Sequence, residues 1–213
     1  MLDESILNDF NKLQNIHGEP TLDSIISGGQ YINPDICFIF MNPTGRNIAA
    51  EKSWASIKSP WLGTKNVWNI FSKLNMLNEE IYTEILKRKP TEWDYDFANR
   101  VYEDITNRGI YITNLAKCTQ IDARPLPNKV FKEYLDLLFK ELEIVKPKKI
   151  VTFGNQVSSI FLDTNISVSK DRKKIFMKNN IPTLPVYYPV GQGRRNMDLA
   201  VEDIEWFMNQ VLN

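Results

Sequence analysis

The sequence predicts an α/β fold: a short, mainly parallel sheet of four strands with helices on both faces. Three observations predict it. Four brief apolar runs stand between turn-forming residues. Helical patterns separate them. The chain of 213 residues is the size of one domain with a substantial core. Strands that alternate with helices build a parallel sheet covered on both sides.

The elements follow in chain order. Residues 3–16 place Ile6, Phe10 and Leu13 on one face, which predicts an amphipathic helix within an N-terminal helical arm, residues 1–30. The run DICFIFM (35–41) is continuously apolar and bounded by turn residues, as a strand buried on both faces should be. Residues 66–107 hold several helical patterns, interrupted at Lys89-Pro90. GIYITNL (109–115) is the second strand. Residues 128–145 form the clearest helix, with Asn128 as N-cap and Phe131, Leu135, Leu138 and Leu142 on one face. KKIVTFG (148–154) and TLPVYY (183–188) are the third and fourth strands. Ala200, Ile204, Phe207, Met208 and Val211 give the last helix its 3.6-residue period.

Composition narrows the class. Hydrophobic residues make up 43% and charged residues 24%, as in a globular domain. The 26 basic residues cancel the 26 acidic ones, so any field for nucleic acid must come from local clusters. Lys117, Arg124 and the run at 170–174 read as solvated faces. No apolar run reaches the ~20 residues of a membrane span. The segment MLDESILNDF lacks the basic start of a secretory signal, and two distant cysteines, Cys37 and Cys118, fit a reducing cytoplasm.

In parallel α/β sheets, ligands bind beyond the carboxyl ends of the strands. There the sequence places Met41-Asn42-Pro43-Thr44-Gly45-Arg46-Asn47, then Thr113-Asn114-Leu115, then Gly154-Asn155-Gln156, then Tyr188-Pro189-Val190-Gly191-Gln192-Gly193-Arg194-Arg195-Asn196. This set has amides, glycines and prolines, but no carboxylate pair, no histidine and no phosphate-binding glycine loop. An asparagine amide carries a donor and an acceptor and can read a base edge. Glycine lets backbone N–H groups approach a ligand. Trp61 offers a flat face for stacking. Each residue also has a structural reading: Asn42 as a turn initiator, Trp61 as core, Asn114 as a cap, the 191–195 loop as a solvated turn.

At these residues the chain resembles the uracil-DNA glycosylase superfamily, over most of residues 35–212. FIFMNPTGRN is similar to the first motif of the mismatch-specific and single-strand-selective branches. SPWLGTKNVWNIF is similar to the segment whose ring stacks on uracil. YITNLAKC resembles the thermophilic-type motif whose asparagine reads the uracil edge, and IVTFGNQVSSIF the strand–Gly–helix element after it. YYPVGQGRRN stands where the family has its DNA-inserting loop.

The resemblance implies a three-layer α/β/α sandwich, a single domain over 1–213, with strand order 2-1-3-4. It implies that Asn42 positions the attacking water, that Trp61 stacks on the base beside Met41, and that Asn114 pairs with the Watson–Crick edge. It implies that Gly191, Gln192, Arg194 and Arg195 meet DNA. Tyr188 is the candidate catalytic residue where the family has histidine or asparagine, and Val190 replaces a small polar residue. The only histidine, His17, lies outside these motifs. Cys118 matches one of four iron–sulfur ligands of the thermophilic-type branch, but the others have no counterpart, so no cluster, metal or cofactor is expected. The expected function is a monomeric, monofunctional DNA glycosylase of base-excision repair, acting on uracil or a related damaged base. The alternatives are a catalytically weak or inactive member that binds nucleic acid or a nucleobase in the same pocket, and a hydrolase of nucleosides.

Overall fold

The computed structural model describes residues 2–124 and 126–211; the side chain of Gln192 lies outside what is described. Helix α1 (Glu4–His17) is followed by strands β1 (Ser27–Gly29) and β2 (Ile36–Phe40). Helices α2 (Trp68–Lys73), α3 (Glu79–Lys87) and α4 (Tyr95–Asn107) lead to β3 (Ile110–Asn114). Then come α5 (Asn128–Val145), β4 (Ile150–Phe153), α6 (Asn155–Leu162), β5 (Phe176–Lys178), β6 (Ile181–Val186) and α7 (Met197–Met208). Short 3-10 turns cover Ile48–Ala50, Pro90–Glu92 and Gly191–Asn196.

Local chemistry accounts for the boundaries. Asp3 caps α1 by accepting from the Ile6 N–H at 2.9 Å, and Asp94 caps α4 by accepting from Phe97 at 2.7 Å. Asn128 is not the cap of α5 that was expected. Pro127 takes that place, and Asn128 lies inside the helix, where its Oδ1 accepts from Gln156 Nε2 at 2.8 Å. The last helix stops at Met208, so Val211 lies beyond it, 90% exposed.

The sheet has six strands, not four, and is mixed. The order is β1-β3-β2-β4-β6-β5. β3, β2, β4 and β6, the four expected from sequence, are neighbours in that order and parallel. β1 and β5 add antiparallel edges of three residues each. Neither edge carries an apolar run, which is why the pattern missed them, and β1 lies within the stretch taken as a helical arm.

Alternate residues of the buried strands feed two cores. Phe38, Phe40, Ile112, Val151, Phe153 and Leu184 pack with α2, α3, α4 and α7. Cys37, Ile39, Tyr111 and Ile150 pack with α1, α5 and α6. Phe40 and Phe153 stack at 4.4 Å between centroids. On α5 the buried stripe is Phe131, Tyr134, Leu138, Glu141, Leu142 and Val145, so a carboxylate stands on the core face. Two expected solvated faces are corrected. Lys117 is fully buried. In the 170–174 run, Arg172 reaches the buried carboxylate of Asp203 at 2.9 Å.

Gly29 tests the β1 edge. Its φ is +104°, and a Cβ there would lie 2.1 Å from the Ile110 carbonyl oxygen. Gly29→Ala should destabilise the chain by about 1–3 kcal/mol. Thermal melting would read this as a fall of roughly 2–4 °C per kcal/mol. An unchanged melting temperature would mean that the β1–β3 edge contributes little.

Candidate functional site

The parallel strands end on one side of the sheet, and four segments converge there. Phe40 of β2 lies opposite Asn114 of β3, so Asn42, two residues on, and Asn114 leave neighbouring strands at the same end. A cavity of about 310 Å³ opens beyond them, lined by Asn42, Trp61, Asn114, Tyr188 and Gly191 among the sequence-predicted residues. A larger groove, about 740 Å³, runs along α1, β1 and α4 at the sheet edge and shares no lining residue with this cavity.

Trp61 is held under strain. Its φ is +68°, the left-handed region that a bulky residue seldom enters. Three successive carbonyls fix it there. Ser59 accepts from Asn47 Nδ2 at 2.9 Å, and Pro60 from the Tyr102 hydroxyl at 2.7 Å. Trp61 itself accepts from Trp68 Nε1 at 3.2 Å and the Thr64 hydroxyl at 2.7 Å. The ring meets Phe40 edge-on at 5.0 Å, and its own Nε1 is buried without a partner. A core tryptophan normally finds an acceptor for that N–H.

Asn114 is 1% exposed, and its Nδ2 likewise has no partner. From behind, Lys117 Nζ donates to the Asn114 carbonyl at 2.8 Å. Burial lowers the pKa of Lys117, and the facing Glu141 carboxylate opposes that fall. Asn42 is partly buried and donates from Nδ2 to the Pro43 carbonyl at 3.0 Å.

Tyr188 stands across the cavity, its ring edge-on to Phe40 at 6.4 Å. Burial raises its pKa well above the ordinary phenol value of 10.0, so it stays neutral near pH 7. It makes no side-chain hydrogen bond among the described residues. The turn after it packs tightly: a Cβ on Gly193 would lie 2.0 Å from the Tyr188 carbonyl oxygen.

Met41, Arg194 and Arg195 are not in the lining of the cavity. The Met41 side chain packs in the core on the opposite face of the sheet. Arg194 and Arg195 are exposed on the 3-10 turn that begins at the lining residue Gly191. The Gln192 side chain lies outside the described residues. Sequence reasoning missed Arg46, which lines the cavity, is exposed and makes no ion pair among the described residues. The signal lay in the same FIFMNPTGRN stretch. Among the described residues, Arg46 is the one charged residue of the lining, and no carboxylate or imidazole lines it. Cys37 and Cys118 are buried free thiols. Among the described residues, no three His, Cys, Asp or Glu side chains are grouped to hold a metal, and no helix is long and apolar enough to cross a membrane.

The arrangement offers two strand-end amides, an aromatic face and one cation around a small space with no acid–base pair. That suits recognition of a flat, neutral, hydrogen-bonding ligand. The family model of the Uracil DNA glycosylase superfamily matches residues 27–212, a span that holds every segment of this cavity. The chain therefore belongs to the uracil DNA glycosylase superfamily.

Proposed function

We propose that this chain is a monofunctional glycosylase that hydrolyses the N-glycosidic bond of uracil, or a related damaged base, turned out of DNA. The observation that carries the reading is the pair of orphaned buried donors, Asn114 Nδ2 and Trp61 Nε1, on residues lining one small cavity. Trp93 Nε1 and the Tyr134 hydroxyl are also buried without partners, but of these donors only Asn114 Nδ2 and Trp61 Nε1 belong to residues of this cavity, where a ligand can bring the acceptors they lack. A nucleobase supplies acceptors on a flat ring, and it reaches such a cavity only by leaving the stack.

The chemistry follows from the lining. The C1′–N bond breaks, positive charge builds on the sugar and negative charge on the base. Water oxygen then bonds to C1′ and gives up a proton to solvent, while the departed base anion takes a proton from solvent, so that an abasic sugar and the neutral free base result. Asn42 orients that water; an amide suffices because a cationic sugar needs only a weak nucleophile. Trp61 stacks on the base, and Asn114 pairs with its edge. Arg46 stabilises the departing base, as a fixed cation does best where charge develops. Arg194 and Arg195 contact phosphates, which position the protein without reading sequence.

A second reading has one observation in its favour. Burial keeps Tyr188 protonated and neutral, so it can donate one hydrogen bond to a departing base but brings no positive charge. A chain that binds the base and releases it slowly would result.

Incubation with single-stranded and duplex oligonucleotides carrying one uracil, then alkali, separates the two. Strand breakage is the expected result; binding without breakage would establish the second reading. Asn114→Asp removes the amide donors and sets a carboxylate toward the base edge. Cytosine has an amino donor where uracil has a carbonyl, so preference should move toward cytosine by about 1–3 kcal/mol. Normal melting with unaltered preference would remove Asn114 from base reading.

Arg46→Met should slow uracil release by roughly 10- to 100-fold. It should slow release of 5-fluorouracil less, because that base carries its negative charge more easily. Equal slowing of both would assign Arg46 to the phosphates instead.

A further inference from the structure

Behind Asn114, on the other face of β3, lies a buried ion pair that the chemistry above does not use. Lys117 and Glu141 both have fully buried side chains, and Lys117 Nζ lies 2.7 Å from Glu141 Oε2. The ammonium donates to the Asn114 carbonyl at 2.8 Å and to the Thr113 hydroxyl, and it meets Glu141 Oε2 as an ion pair, an oxygen that accepts no hydrogen bond among the described residues. Glu141 Oε1 accepts from the Thr113 hydroxyl at 2.7 Å and from the Tyr111 hydroxyl at 2.8 Å. The Tyr111 oxygen lies 2.7 Å from the Ser27 hydroxyl on β1. The network thus ties the edge strand, β3 and α5 to a single carbonyl, that of Asn114.

Stability does not account for such a pair. Two ions lose much of their hydration on burial, and an apolar pair of similar volume is often as stable or more so. Geometry accounts for it better. The Asn114 amide has no partner on its Nδ2, so no hydrogen bond from the described residues orients that nitrogen from the cavity side. Its direction must come from its own backbone, and that backbone is held from behind by Lys117. Beyond Asn114 the chain follows the extension of β2, with Leu115 N donating to Phe40 O at 2.8 Å and Ala116 N to Met41 O at 3.0 Å. Lys117 closes this turn onto the strand it has just left.

We propose that Lys117, held by Glu141, is a positioning residue that sets the direction of the Asn114 amide and so determines base selectivity. This rests on the glycosylase reading. The pair never touches the base; it acts through the Asn114 backbone.

The test uses the full chain with Lys117→Met and Glu141→Leu together, a change that leaves no lone buried charge. Melting, uracil release under single turnover, and the preference for uracil over cytosine in release and in oligonucleotide binding are measured. The expected result is near-wild-type melting with uracil release slowed about 10²-fold, the cost of a misplaced contact group, and with selectivity lost. In an Asn114→Ala background the same double change should have little further effect, since coupled sites are not additive. A folded double variant with wild-type release and selectivity would overturn the proposal, as would a full further loss on top of Asn114→Ala. If the double variant does not fold, Thr113→Val, which removes one hydroxyl at constant shape, takes its place with the same two outcomes. A wild-type chain that neither releases nor prefers uracil would overturn the glycosylase reading, and this proposal with it. A selective wild type with an equally selective variant overturns this proposal alone.

Discussion

Strand β3 turns Tyr111 and Thr113 to one face of the sheet and Ile110, Ile112 and Asn114 to the other, and its register against β2 decides which polar group meets which. Side-chain direction has period two, so a slip by one residue would exchange the faces. Thr113 would then face the cavity, and Asn114 would face Glu141. The register is fixed from both sides. Apolar residues on each face belong to separate cores, and β1 pairs Ser27 with Thr113 on the open edge. A central strand with two buried faces has no neutral alternative register. The cavity amide and the buried ion pair are therefore two consequences of one pairing.

The second element of the cavity depends on strain. A tryptophan at φ +68° costs about 1–3 kcal/mol unless its surroundings compensate. Here Asn47, Tyr102, Trp68 and Thr64 each donate to a carbonyl of Ser59, Pro60 or Trp61. These donors come from the turn after β2, from α4, from α2 and from the segment itself. Each is a partly or fully buried side chain whose own donor needs an acceptor. The segment is thus over-determined, and the indole stays pressed against Phe40 with its N–H unmatched. A loose aromatic would instead rotate to satisfy that donor.

What was legible in the sequence follows the same physics. The four central strands were readable because burial on both faces demands continuous apolar runs. β1 and β5, with three residues each, leave no such trace, and Ser27-Gly28-Gly29 looks like a turn. Asn42, Trp61 and Asn114 were legible as strand-end or near-strand residues, and the structure places all three in the lining of one cavity. The orphaned donors of Trp61 and Asn114 were not, because satisfaction is a property of neighbours distant in sequence. Not every strand-end amide belongs to the cavity. Asn155 accepts from Val168 N at 2.9 Å, and Gln156 donates to Asn128, so both serve local structure. Lys117 was misread because charge usually means solvent. Its apolar neighbours Leu115, Ala116 and Cys118 were the available hint, and its partner Glu141 lies on another element, hidden in the stripe of α5.

The electrostatics of the cavity constrain any reaction in it. Among the described residues the lining has no carboxylate to attack or deprotonate, so force on the nucleophile is small, and a bond that breaks there must break through stabilisation of its products. Burial holds the Tyr188 proton in place, leaving a neutral dipole that needs no reorganisation but brings no net charge. The net charge comes from Arg46, which is exposed and shares its field with water and salt. Screening weakens it relative to a buried cation, yet keeps its desolvation cost low. On the proposed reading, the site favours bases that already leave easily. Selectivity then has two sources: the fixed amide of Asn114, which chooses the base by its edge, and the modest cation, which chooses it by how well it carries negative charge.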